Sequence, residues 1–277
     1  YDPVSHIKVD KANNVWIRIK EKWSILNTQT GELNTPNYDG KAAGGVNTAF
    51  CIYNNDLYTF IGQKVYRFNY AKNEFVFCLT LPDSDGNIRF ARAYMGKLWI
   101  FVNNSGLYKI DMSTFKIEDH YTLLTDYEGN SLRTFYIDKK GYIWFGTIDG
   151  IYIFDPTDGK LSHYKHSRTD PFSLPNNSIW EISEDRQSNV WIGTYSGTLC
   201  YVNIDENNAF KTYHPQNSGL NHTPVSAFAE DQQYLWVGTE GGGINRMNKA
   251  TGEFSYITSA NSITSNNIKS LITDAGH

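Results

Sequence analysis

The sequence has no apolar run approaching the roughly 18–20 residues that a membrane-spanning helix needs, and its first residues carry no basic-then-apolar signal. Nothing in it predicts membrane insertion by this stretch. A basic surplus is missing too: 25 Lys and Arg stand against 29 Asp and Glu, a net charge of −4. Such a balance leaves nothing to neutralise a phosphate backbone, which argues against nucleic acid as a partner. Cysteine is scarce. Cys51, Cys78 and Cys200 are an odd number and cannot all pair within the chain. Each lies in an apolar strand pattern, where a thiol behaves as a small hydrophobe. No long segment shows the 3.6-residue period of a helix, and no low-complexity linker divides the chain. The chain opens at Tyr1 rather than Met and closes inside a strand-like pattern, so it is read as a piece of something longer.

What is plentiful is aromatic residues, 15% of the chain, punctuated by Gly and Asn. That mixture suits short strands and tight turns. One stretch recurs. Ile143-Trp144-Phe145-Gly146-Thr147 returns as Val190-Trp191-Ile192-Gly193-Thr194 and Leu235-Trp236-Val237-Gly238-Thr239. Weaker copies precede it at Val15-Trp16-Ile17, Leu57-Tyr58-Thr59-Phe60 and Leu98-Trp99-Ile100-Phe101. By subtraction the anchors Trp16, Tyr58, Trp99, Trp144, Trp191 and Trp236 are 42, 41, 45, 47 and 45 residues apart. A period of this size predicts an all-β propeller of four-stranded antiparallel blades.

The unit is clearest between residues 131 and 165. Four β-type segments there are joined by turns in which Asp, Asn and Gly supply the positive φ of tight hairpins. We name them strands A to D, with the anchor on strand B. The reading predicts one propeller domain over 1–277, with blades at roughly 4–38, 46–80, 87–120, 131–165, 177–214 and 223–258. A partial seventh blade at 267–277 begins with an A strand at Asn267–Ile272. Six repeats plus a first strand fit either six blades that close alone, with the extra strand added at the seam, or a seven-bladed ring whose remainder lies outside these residues; the reading favours the second. The Trp of strand B is expected where neighbouring blades pack, and the D–A loops on the face of the B–C turns.

Catalytic or metal chemistry finds little support. Asp83-Ser84-Asp85-Gly86-Asn87 opens like a calcium loop, but its Gly comes too early and no bidentate Glu follows at the required distance. His163 and His166 are not spaced to share one face of a strand. The pairs Glu184-Asp185 and Glu230-Asp231 recur at one repeat position, the end of strand A, which predicts a structural role with Asp accepting turn amides. No cofactor is predicted.

The segment Asn177–Thr194, with its Glu184-Asp185 pair and Val190-Trp191-Ile192-Gly193-Thr194, resembles the repeat of two-component regulator propellers. The stretch from Ala229-Glu230-Asp231 through Thr239 is similar. The resemblance is strong from about residue 130 onward, and earlier repeats share the period but not the Gly-Thr pair. It implies the periplasmic sensor region of a hybrid two-component system of Bacteroides-type bacteria. That region is a non-enzymatic part of an inner-membrane protein, which detects an oligosaccharide signal and passes it to a histidine kinase. Implied partners are a small carbohydrate ligand, further sensor modules of the same chain and a second protomer in a homodimer.

One aligned position near the start of strand A carries Ser5, Thr48, Arg89, Arg133, Trp180, Ser226 and Lys269 in successive repeats. In a ring these side chains face one mouth of the channel, beside Asp149, Tyr195 and Glu240 on the B–C turns. Arg and Trp there can hydrogen-bond hydroxyls or carboxylates and stack on sugar faces. The candidate ligand-binding residues are therefore Arg89, Arg133, Trp180, Asp149, Tyr195 and Glu240. The alternative for the same residues is a solvated channel lining. Two other functions stay open: a propeller lyase, which needs a His and a Glu converging with a metal, and a scaffold that binds only proteins.

Overall fold

The computed structural model describes residues 4–10, 14–19, 22–38, 41–42, 47–54, 56–82, 86, 88–124, 132–170, 172–195, 199–203 and 207–273. Among them every helix or strand element is a strand. Six sheets form, and in each the strands A, B, C and D are neighbours in chain order. A blade is thus a run of hairpins, and the fold is all-β, of the β-propeller class. The chain divides into two compact units, residues 1–130 and 131–277. The calcium-like loop falls largely outside the described residues.

The first unit holds three blades. Blade one comprises Val4–Val9, Val15–Ile19, Lys22–Leu26 and Leu33–Asn34. Blade two comprises Asn47–Tyr53, Asp56–Ile61, Lys64–Asn69 and Glu74–Thr80. Blade three comprises Ile88–Tyr94, Lys97–Val102, Gly106–Asp111 and Ile117–Tyr121. Asn37–Tyr38, expected to close blade one, instead pairs in parallel with strand D of blade two, and Lys41–Ala42 lies outside it. The cause is aromatic packing: the buried Tyr38 ring stacks on Phe75 at 4.6 Å and meets Tyr66 edge-on at 5.3 Å. Trp16 sits in the same cluster, edge-on to Phe68 at 4.9 Å.

The second unit holds blades four to six. Blade four comprises Leu132–Ile137, Ile143–Thr147, Gly150–Asp155 and Lys160–Tyr164. Blade five comprises Ile179–Glu184, Asn189–Thr194, Leu199–Asn203 and Asn207–Tyr213. Blade six comprises Val225–Glu230, Tyr234–Thr239, Ile244–Asn248 and Phe254–Ile257. As expected, the strand-B indoles lie at blade contacts. Trp144 packs with Val190, Ile192, Val202 and Phe210 of blade five, and Trp191 with Leu235, Val237 and Met247 of blade six.

The repeat is held by one recurring bond. The indole Nε1–H of Trp16, Trp144, Trp191 and Trp236 donates to Oδ2 of Asp10, Asp138, Asp185 and Asp231 at 2.7–2.8 Å. The other carboxylate oxygen accepts the amides of the A–B turn: Lys140 and Tyr142 at Asp138, Gln187 and Asn189 at Asp185. One buried charge thereby satisfies the turn and fixes the indole. Burial pushes the Asp138 carboxyl above its usual range despite the Trp144 bond. At the more open Asp231 the burial penalty is outweighed by the bonds from Tyr234, Trp236 and Gln233 and by the Lys249 charge, and the carboxyl is held low.

In blades five and six the residue before the Asp is a Glu, and it works on the neighbouring blade. A Glu184 carboxylate oxygen accepts the Lys139 amide of blade four at 2.8 Å, and Glu230 accepts the Arg186 amide of blade five at 3.2 Å. Both Glu-Asp pairs are structural, one member inward and the other across.

The Gly-Thr pair explains how blades approach. A Cβ built on Gly146 would lie 2.7 Å from Ile179 Cγ2, on Gly193 2.8 Å from Val225 Cγ1, and on Gly238 2.7 Å from Ile268 Cγ2. Each Gly is a notch for the first residue of the next A strand. Thr147 and Thr239 close the B–C turn, their hydroxyls donating to the Gly150 and Gly243 carbonyls. Ile268 therefore seats as an A strand does. The expected strand at Asn267–Ile272 nevertheless forms only a single bridge, Asn267 to Glu240. A strand A takes its ladder from the strand B that follows it, and among the described residues no strand follows this segment.

Two outcomes follow for stability. Asp138→Ala orphans the Trp144 indole and turn amides, and a chemical-denaturation comparison is expected to show a loss on the order of 3 kcal/mol. Gly193→Ala drives a methyl into Val225 and is expected to cost about 1–3 kcal/mol in the same measurement, since the side chain and backbone there have no room to yield.

Candidate functional site

The position aligned in the sequence has a structural identity: it is a β-bulge. The A–B register shifts between Val4 and His6, Asn47 and Phe50, Ile88 and Phe90, Leu132 and Thr134, Ile179 and Glu181, and Val225 and Ala227. The residues passed over are Ser5, Thr48 with Ala49, Arg89, Arg133, Trp180 and Ser226. In blades four to six the bulge faces the Gly-Thr junction of strand B. A bulge adds an unpaired residue and re-aims its side chain, so each blade presents one residue free of the ladder, or two in blade two. The side chains of Ser5 and Thr48 lie outside the described residues.

In the second unit two bulge residues and one turn residue come together. The Arg133 guanidinium lies 5.1 Å from the Trp180 ring centroid, and Trp180 stacks on Tyr195 at 5.5 Å with 22° between the planes. The result is a layered Arg-Trp-Tyr stack. Tyr195 is placed by its own amide, which donates to the Ser178 carbonyl at 2.9 Å. Its ring is 55% exposed. Arg133 has no carboxylate partner among the described residues. The Trp180 indole N–H is withdrawn from solvent and has no acceptor, unlike the four indoles clasped by Asp. An orphaned N–H of this kind costs about 1–3 kcal/mol. The stack thus combines a guanidinium with aromatic faces, the chemistry that recognises a hydroxyl-bearing ring.

The other predicted residues are placed differently. Asp149 forms an ion pair with Lys165 at 2.8 Å, and its carbonyl accepts the His163 ring N–H at 2.8 Å. His163 lies flat on Tyr152 at 3.8 Å, while His166 engages the Leu174 carbonyl. Glu240 is paired with Lys269, the residue aligned with the bulges at the seventh position. Ser226 is tied down, its hydroxyl donating to the Gly238 or Ile268 carbonyl. Arg89 belongs to the first unit, with its guanidinium 6.0 Å from the Phe90 ring centroid. Cys51 and Cys200 are buried and Cys78 half-buried, none in a disulfide, and burial pushes the Cys200 thiol up. Sequence reasoning named Arg133, Trp180 and Tyr195 among its candidates but did not foresee that they stack, and it missed that the indole of Trp180 lacks the Asp given to Trp16, Trp144, Trp191 and Trp236. It also missed Lys165, whose only signal is its place after a strand-D His.

The family model described as two component regulator propeller matches residues 126–149 and 173–196, in blades four and five. None of the curated proteins compared with the chain matches it. Among solved structures, the extracellular domain of a putative one component system from B. thetaiotaomicron is similar, with 20% identity and a TM-score of 0.69. That alignment covers 100% of this chain and 36% of the other, so the chain spans little more than a third of that length. The extracellular domain of a putative hybrid two component system from the same organism has 17% identity and a TM-score of 0.53, covering 97% of this chain and 44% of that one. Virginiamycin B lyase from Staphylococcus aureus has 15% identity and a TM-score of 0.67, covering 92% and 83%. At such identities these likenesses speak for the fold. The family match adds that two stretches of the chain, in blades four and five, read as two-component regulator propeller repeats.

Proposed function

We propose that this chain is the non-enzymatic, extracytoplasmic sensing part of a hybrid two-component regulator, and that it binds a carbohydrate-derived signal at the Arg133–Trp180–Tyr195 stack. The observation that carries the reading is the stack itself. A guanidinium without a carboxylate partner among the described residues and an indole face, both on bulges that free them of the ladder, meet an exposed phenol on the B–C turn. A pyranose offers an apolar face for the rings and hydroxyls for the donors. The periplasm is the proposed location, in keeping with similar domains described as extracellular.

The mechanism we assign is a population shift. Blades joined by notches and buried clasps transmit a rotation better than they deform, so ligand binding changes the packing between this part and further sensor modules. In a homodimer that change becomes a new relation between two protomers and reaches a histidine kinase. A lyase remains the second reading because of the likeness to virginiamycin B lyase. Against it, His120, His163 and His166 each engage a backbone carbonyl.

Isothermal titration of oligosaccharides from plant, host and microbial glycans tests the proposal. At least one should bind, and Arg133→Ala combined with Trp180→Ala should weaken it about tenfold or more, some 1.4 kcal/mol, with an unchanged melting transition. Unchanged affinity in the double variant would remove the site.

A further inference from the structure

A second feature of the same unit departs from the repeat in a way that makes room. Opposite the strand-B anchor, strand C places Lys109 against Trp99, Tyr201 against Trp191 and Arg246 against Trp236. Each long side chain lies over its indole, at 5.7, 4.8 and 5.6 Å between centres. Strand D then secures it: Lys109 pairs with Asp119, Lys211 lies 5.2 Å from the Tyr201 ring centroid, and Arg246 Nε donates to Ser255. In blade four the corresponding residues are Ile153 and Ser162. Both are short, and a cavity of about 280 Å³ opens between blades four and five.

Its floor includes Trp144 and Phe210, and its walls include Tyr142 and Tyr164. The Lys160 ammonium and Ser162 hydroxyl border it, with no hydrogen-bond or ion-pair partner among the described residues; Asp155, which accepts from Thr157, and Asp158, which accepts the Lys160 amide, border it too. The hydroxyl and amide of Thr157 hold the Asp155 carboxyl below its usual range, so it stays an ionised acceptor. Two carboxylates disfavour an anion, and the lysine offsets them for a cation. Aromatic walls beside unused donors and acceptors suit a neutral ring with one apolar face and several hydroxyls. The volume lies just under the about 300–1,000 Å³ of sites for drug-sized ligands, enough for one small ring.

We infer that the notch left by Ile153 and Ser162 between blades four and five is a second ligand site, which takes a single neutral glycosyl unit. It is independent of the Arg133–Trp180–Tyr195 reading, since no residue is shared. The repeat supplies its own blocking variants: Ile153→Tyr copies Tyr201 and Ser162→Lys copies Lys211, each filling the notch as blade five does.

Saturation-transfer NMR with the 277-residue chain and glucose, galactose or N-acetylglucosamine is the test. Transfer to the CH protons of at least one sugar is expected. It should be lost, or the apparent Kd raised at least tenfold, in Ile153→Tyr and Ser162→Lys, and kept in Arg133→Ala with Trp180→Ala. Should Ile153→Tyr fail to fold by circular dichroism, Ser162→Lys, at a half-buried site, decides alone. No transfer from any of the three sugars would overturn the inference. So would transfer that survives the filling variants, or that disappears only with Arg133 and Trp180.

Discussion

The structure depends on a carboxylate that serves two masters. In four blades an Asp at the end of strand A accepts the turn amides with one oxygen and an indole N–H with the other. The turn could close without the indole, and the indole could be buried without the turn, but neither would then fix the other. Joined, they set the Trp at one angle, and the next blade packs on that ring. A buried carboxylate is tolerable only because both of its oxygens are hydrogen-bonded. In blades five and six the Glu one residue earlier carries the same logic across to the neighbouring blade.

That arrangement frees other groups. Because the Gly of strand B admits the next A strand so closely, and the A–B ladder bulges opposite it, one residue per blade is excused from pairing. The scaffold constrains its neighbours and leaves that residue open to choice. Blade six uses the position for Ser226, bonded to backbone carbonyls, while blades four and five use it for Arg133 and Trp180. The cavity beside Ile153 arises likewise, from short residues where blades three, five and six have long ones against the anchor.

Much of the fold was legible because its signals are periodic. The spacing of Trp and Tyr anchors gave the blades, and the recurrence of Glu-Asp marked a structural pair. The aligned bulge position emerged by counting back from Trp, although a bulge leaves no local composition signal and could not be named as one. What stayed hidden depends on register across strands. That Trp144 faces Ile153 while Trp191 faces Tyr201 requires knowing which residues of strands B and C are opposite. The parallel pairing of Asn37–Tyr38 with blade two was equally unreadable, since it rests on Tyr38 meeting Phe75, 37 positions later by subtraction. Of the six candidate residues, Arg133, Trp180 and Tyr195 form one stack, whereas Asp149 and Glu240 are held by Lys165 and Lys269, partners that sequence spacing did not reveal.

The central claim is energetic: the Asp-to-indole bond couples each turn to its anchor, and the blade contacts inherit that coupling. A double-mutant cycle between Asp185→Ala and Trp191→Phe measures it directly, because Phe keeps a ring while deleting the N–H donor. The account predicts a coupling of about 1–3 kcal/mol in unfolding free energy. Strictly additive effects of the two substitutions would contradict it.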